Sequence, residues 1–282
     1  MDRTSMADRQ RARVEDLCAD TREPGTRGHQ RACESIAAEF ARLGFETTVE
    51  RAKIDGERCA NVLARSGAAD GPFVVFGAHY DTQPGTPGAD DNASAVAALL
   101  EIARHVAERP APGRGRLVLA AYDLEEYGFG GSRLHARSLR QREHEVEIMA
   151  SLEMLGFTSP AQGLPDFLAG RRSVGDFIGL CSSEASAGPL EAIEEAFRSD
   201  PDLPVETLLL PGTGRGFPIA RLSDHSSFWD AGFPALMVTD TSFLRNPHYH
   251  LSSDRPETLD YPFLARVTAA LARSVDRLLG VA

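Results

Sequence analysis

Residues 73–78, Phe-Val-Val-Phe-Gly-Ala, are apolar without interruption and run straight into His79, Tyr80 and Asp81. A strand with one wet face alternates polar and apolar residues, so an unbroken run marks a strand covered on both faces, as in a parallel sheet. Such a strand needs helices packed on either side of it. The chain supplies the pattern. Residues 116–121 and 146–152 read as two further buried strands, and helical spacing lies between them. Over residues 92–108, Ala93, Val96, Ala97, Leu100, Ile102 and Ala103 cluster on one side of a helix. A second helix is expected over 130–140. The expected fold is α/β: a single, doubly wound, mixed β-sheet flanked by helices, an α/β/α sandwich.

The remaining elements fit around that centre. Residues 28–43 have helical spacing, ended by Gly44 as a C-terminal cap. Residues 45–51 and 58–64 read as strands joined at an Asp55-Gly56 turn. Pro110 and Gly113 close the 92–108 helix. Residues 156–172 are rich in Gly, Pro and Ser and read as a long loop near the site, since structureless insertions in compact domains are usually functional. Strands are expected at 174–181, 205–210 and 234–239, a helix at 190–197, a glycine-rich turn at 211–216 and a closing amphipathic helix at 261–279. Residues 1–27 are read as a polar, helical extension and residues 28–282 as one domain.

Ligands of such sheets gather where loops leave the carboxyl ends of the strands, and the chemistry-bearing residues fall there. His79 ends the first buried strand, and Asp81 can accept a hydrogen bond from the imidazole nitrogen that a metal leaves free. Asp90 and Asp91 precede a helix; one of them can face a metal while the other caps the helix. Glu125 and Glu126 follow the second strand. Neighbours in a helical turn diverge by about 100°, so one can bind metal while the other takes a proton. Glu153 follows the third strand directly. Near the C-terminus, His248 and His250 offer two imidazoles before Ser253-Asp254, and Ser223-Asp224-His225 forms another polar cluster. His29, His105, His135 and His144 read as structural or surface residues. Each motif alone has an ordinary explanation. Their recurrence just after successive strands does not.

The net charge of −11 argues against a nucleic-acid partner, which needs a basic face. No apolar run approaches the ~20 residues of a membrane span. The polar first 13 residues lack the apolar middle of a secretory signal. Cys18, Cys33, Cys59 and Cys181 form no Cys-x-x-Cys and no tight framework, and read as reduced thiols in a cytoplasmic protein.

With these blocks in order, the chain resembles the M28 family of zinc peptidases, which includes leucyl-type aminopeptidases and glutamate carboxypeptidase. The resemblance rests on Gly77-Ala78-His79-Tyr80-Asp81, Gly88-Ala89-Asp90-Asp91-Asn92-Ala93-Ser94, Glu125-Glu126-Tyr127-Gly128, Leu152-Glu153-Met154 and Asn246-Pro247-His248-Tyr249-His250. It implies a zinc-aminopeptidase-like fold and two zinc ions per chain. His79 would bind one ion and His250 the other, with Asp91 bridging, Glu126 and Glu153 as further ligands, and Glu125 as general base. Two features depart from the family: Glu153 where Asp is usual, and Ala95 where Gly is common. The implied activity is hydrolysis of peptide bonds, most simply removal of N-terminal residues from a peptide or aminoacyl substrate. A carboxypeptidase or acylamino-acid hydrolase on the same core would need cations for the substrate carboxylate, and Arg215 and Arg221 are the candidates. The resemblance also admits a single-zinc, glutaminyl-cyclase-like transferase or a non-catalytic binding module.

Overall fold

The computed structural model describes residues 3–67, 71–109 and 116–281. In chain order the elements are α1 (Arg3–Leu17), α2 (Arg27–Arg42), β1 (Glu46–Ile54), β2 (Glu57–Arg65), β3 (Phe73–His79), α3 (Ala95–Ala107), β4 (Leu117–Tyr122) and α4 (Gly130–Gln141). Then come β5 (Val146–Glu153), β6 (Ile178–Ser183), α5 (Ala187–Arg198), β7 (Val205–Leu210), α6 (His225–Asp230), β8 (Ala235–Thr239) and α7 (Tyr261–Leu278). The eight strands form one sheet in the order β1-β2-β4-β3-β5-β8-β6-β7. β3, β4, β5 and β8 run parallel, while β1, β2 and β6 supply the antiparallel pairings that make the sheet mixed.

The unbroken apolar run behaves as expected: every residue of β3 is buried. Covering a Val or Phe side chain completely is worth about 1.5–3 kcal/mol, so this strand anchors both layers. On one side of the sheet α1, α2, α3, α5 and α7 share a core that includes Ile36, Phe40, Val74, Phe76, Leu190, Phe197 and Val267. On the other side α4 and α6 close over Val75, Tyr122, Leu139, Phe228 and Trp229. The stretch read as an N-terminal extension forms α1 and buries Met6, Gln10, Val14 and Leu17. Gln10 donates to Thr268 of α7 at 2.7 Å.

Boundaries shift where local chemistry overrides periodicity. The Asp55-Gly56 turn sits in the left-handed region (φ 52° and 97°), matching the twist of the β1–β2 hairpin. α3 begins at Ala95 rather than 92, because Asp91 and Asn92 leave helical φ/ψ inside an irregular turn, Ala89–Ser94. β6 begins at Ile178 rather than 174, because Gly175 pairs instead with Ser159 across the loop. α6 is an element that periodicity does not announce. The expected helix closers Pro110 and Gly113 lie outside the described residues. Among the described residues no helix is long and apolar enough to cross a membrane, and Cys18, Cys33, Cys59 and Cys181 are free.

Candidate active site

Because β3, β4, β5 and β8 are parallel, their carboxyl ends meet at one edge, and the residues that follow them converge there. His79 and Glu153 are the last residues of β3 and β5. Glu125 and Glu126 lie in the loop after β4, Asp91 in the turn before α3, and His250 in the segment after β8. All six singled out as ligands or base come together. Asp91 Oδ1 is 3.2 Å from His79 Nε2, and its Oδ2 is 3.2 Å from His250 Nε2. Glu126 is 3.2 Å from His250 Nε2, and Glu153 and Glu125 are 3.7 and 3.8 Å from His79 Nε2. Strain gathers at this edge: Leu124, Met154 and His250 hold positive φ without being glycine, the kind of conformation that persists where its surroundings enforce it.

The cluster asks for positive charge. Four carboxylates face two imidazoles in a pocket where His79, Asp91, Glu125 and Glu153 are buried. Nε2 of both imidazoles and Oε1 of Glu126 are buried with no hydrogen-bond partner. Burial opposes charge on His79, yet Glu125, Asp81, Asp91 and Glu153 raise its pKa well above the ordinary value. Burial also opposes charge on His250, but Asp91 and Glu126 push it up to about 10. Burial raises Glu125, with His79 opposing and Glu153, Asp224 and Glu126 adding to the rise. Isolated buried charge is prohibitively costly, so such groups hold protons or bind cations. Two triplets, His79–Glu125–Glu153 and Asp91–Glu126–His250, have ligand atoms within 4.8 Å of one another. Imidazole and carboxylate donors with their free atoms turned inward fit zinc.

The supports were only partly legible. Asp81 does not act mainly on the imidazole. His79 Nδ1 lies 3.2 Å from the Asp81 carbonyl oxygen and 3.5 Å from its carboxylate. The carboxylate oxygens instead accept the N–H groups of Glu125 and Glu126, both at 3.1 Å. Asp90 does not cap α3; it accepts Gly156 N–H at 2.9 Å and the Asn246 side-chain amide at 2.8 Å. Asp254 accepts the N–H groups of Asp90 and Asp91, and Asn92 bonds Leu152 and Met154 at the end of β5. Ser223 donates to Glu153 at 2.8 Å. The Asp224 carboxyl is fully buried, and burial pushes its pKa up to about 7. Arg22, also fully buried, donates to the carbonyls of Tyr80, Pro87 and Gly88, each at 2.8 Å, bracing the loop between His79 and Asp91. Nothing local in the sequence announces it. His248 turns away to Ser253. The other histidines are structural, as expected: His29 meets Asp123, His105 Asp276 and His135 Tyr122, and the His144 ring packs edge-on against Phe73.

Residues 61–275 match the model of peptidase family M28. The chain belongs to that family. A protein of Escherichia coli K12, "Uncharacterized protein YfbL", is 36% identical over 255 residues, covering 84% of this chain and 76% of its own length. A "Probable leucine aminopeptidase" of Trichophyton verrucosum is 30% identical over 225 residues, covering 74% of this chain. The chain spans 55% of the length of that fungal protein. The LapA aminopeptidase of Legionella pneumophila has the same fold, with TM-score 0.78 and 18% identity over 96% of this chain and 71% of its own. As an M28 peptidase the chain falls among the metal-dependent hydrolases of peptide bonds.

The carboxylates of this M28 peptidase form the polar end of a cleft of about 1020 Å³ including its open mouth. Its walls are apolar, built from Phe167, Phe177, Leu208, Met237 and Phe243 among others, so the 156–172 loop does border the site. Among the described residues two cations line it, and both are engaged: Arg172 pairs with Asp176 at 2.6 Å, and Arg171 with Glu206 at 3.4 Å. Arg215 and Arg221, the candidates for holding a substrate carboxylate, do not line the cleft. Both reach Asp230 outside it, at 3.3 and 2.8 Å.

Proposed function

We propose that this M28 peptidase is a dinuclear zinc aminopeptidase that removes N-terminal residues, preferably apolar ones, from peptides. The observation that carries this reading is the cleft: apolar walls end at four carboxylates, and neither lining cation is free to hold a substrate carboxylate. Carboxylates attract an α-ammonium group and repel a free carboxylate. The aminopeptidases among its relatives agree with it.

His79, Glu153 and one oxygen of Asp91 would hold one ion. His250, Glu126 and the other oxygen of Asp91 would hold the second. Glu125 also lies near His79, but Asp91 is the carboxylate that faces both imidazoles at once. That leaves Glu125 for proton transfer. Zinc, when bound, supplies Lewis-acid polarisation of the scissile carbonyl and lowers the pKa of water. Glu125 takes the proton of the attacking water on its carboxylate and returns it to the leaving amine. Asp81 positions that carboxylate by holding the Glu125 and Glu126 N–H groups. The longer Glu153 side chain is fixed by Ser223.

Elemental analysis together with a panel of free and N-blocked aminoacyl amides tests this reading. The expected result is about two zinc ions per chain, with cleavage only where the α-amine is free. Cleavage confined to blocked substrates would transfer the site to acylamino-acid hydrolysis. A single ion after full reconstitution would end the dinuclear mechanism.

A further inference from the structure

Beyond the cleft lies a second groove of opposite character. Helix α4 carries Arg133, Arg137 and Arg140 on one face, spaced four and three residues apart. Arg215 and Arg221 line the same groove, and among the described residues Asp230 is the single carboxylate lining it. Five guanidinium groups thus meet one acid in a chain whose net charge is −11. Partners inside the molecule leave most of that charge unmatched. Arg215 and Arg221 share Asp230, while Arg133 reaches Asp55, which does not line the groove. Arg140 donates to the carbonyls of Ala231 and Gly232 and lies over the Phe233 ring. Arg137 is exposed and makes no hydrogen bond or ion pair among the described residues. A helix dipole explains a cation in the last turn, which is Arg140. It does not explain Arg215 and Arg221 on a different segment.

The groove adjoins the active site. Leu222, half exposed, lines both clefts, and Gly128 and Phe129 carry the loop of Glu125 and Glu126 directly into the groove wall. We propose that this groove receives acidic side chains of the substrate polypeptide on the carboxyl side of the bond that is cut. The inference rests on the aminopeptidase reading. With the first residue held in the apolar cleft, the rest of the peptide has to leave across the rim, and the Leu222 rim leads to the arginines. A long polyanion would also feel the acidic remainder of the protein. A short acidic segment feels mainly the groove, because charges are screened beyond about 8–10 Å at ordinary ionic strength.

The test uses the full chain loaded with zinc and two leucyl peptides of equal length, one with a pair of aspartates after the scissile bond and one with asparagines there. KM for the acidic peptide should be about tenfold lower at low salt, as expected for two or three exposed ion pairs. The ratio should shrink in about 0.5 M salt, where screening is nearly complete. Arg137→Glu should bring the ratio close to one, and Arg137→Gln should reduce it part-way, with thermal melts checking that both variants fold. Equal KM values in the unaltered protein, or a ratio that survives Arg137→Glu, would overturn the proposal. Fluorescence anisotropy of the labelled acidic peptide gives a second readout that needs no hydrolysis. If neither peptide is cut, the aminopeptidase reading fails, while salt-sensitive binding lost in Arg137→Glu still supports an acidic-peptide groove. Displacement by inorganic polyphosphate at concentrations far below those of the peptide would reject peptide as the occupant.

Discussion

Asp90 and Asp91 are neighbours in the chain and equally hidden from water, yet they sit in opposite electrostatic surroundings. Burial would raise Asp91, but the imidazoles of His250 and His79 outweigh it and hold the carboxyl below the usual range. Burial raises Asp90 well above that range, and the adjoining Asp240 adds to the rise. Asp240 is itself pushed up to about 6 by burial, against the pull of Arg245. One carboxylate belongs to a cluster built to take a cation. The other serves as a girder, tying Gly156 and Asn246 to the turn. Residue type and depth are the same in both cases. The sign of the neighbouring charge separates the carboxylate that belongs to the cluster from the one that supports it.

Variants on the two sides of this divide should behave differently. The largest effect belongs to Glu125→Gln. Loss of the general base should lower kcat by about 10²–10⁴-fold while zinc content is retained. Loss of zinc in this variant would make Glu125 a ligand instead. Asp91→Asn should come next. It removes the carboxylate facing both imidazoles, and metal analysis after dialysis should show depletion while the apoprotein still folds. The acid side of the stability profile extends the contrast to the far layer of the sheet. Burial there lowers His135 and His225 to about 4, so both are neutral in the native protein. A folded pKa below the unfolded value near 6.5 gives stability that is intact above that pH and lost as pH falls toward 4. Each imidazole should account for roughly 2–4 kcal/mol of that loss. Urea titrations at successive pH values would show it, with a shallower decline in His135→Gln. The smallest effect is expected from Asp90→Asn. Its amide keeps an acceptor for Gly156 but turns an NH2 toward the Asn246 side-chain amide, so stability should fall by about 1–3 kcal/mol. Zinc loss equal to that of Asp91→Asn would erase the distinction between the two aspartates.

The parts of the molecule that could be read in advance are those specified by short-range pattern. β3, β4 and β5 are buried runs, and the residues closing them had to emerge at a common edge, which located His79, Glu125, Glu126 and Glu153. The illegible parts depend on distant partners. Asp254 bonds the Asp90 and Asp91 backbone from more than 160 residues away in the chain. β6 starts late because Gly175 pairs with Ser159 across the loop, at a position where a Cβ would come within 2.7 Å of the Arg245 guanidinium Nε. α6 is six residues long, too short for a helical period to register. Arg215 and Arg221 lay in the right stretch of sequence but beyond the Leu222 rim. Asp81 does stand beside the cluster, yet the Glu125 and Glu126 amides claim its carboxylate.

Arg22 bears on how this protein is dissected. The family match begins at residue 61, and a recombinant fragment trimmed to it, or to residue 28, would keep all six clustered side chains. It would also leave the Tyr80, Pro87 and Gly88 carbonyls without the guanidinium that joins them, and expose the surfaces α1 covers. Such a fragment would carry all six side chains of the cluster on a loop free to sag. Its inactivity would then report a missing brace, and should not be mistaken for a missing catalytic group.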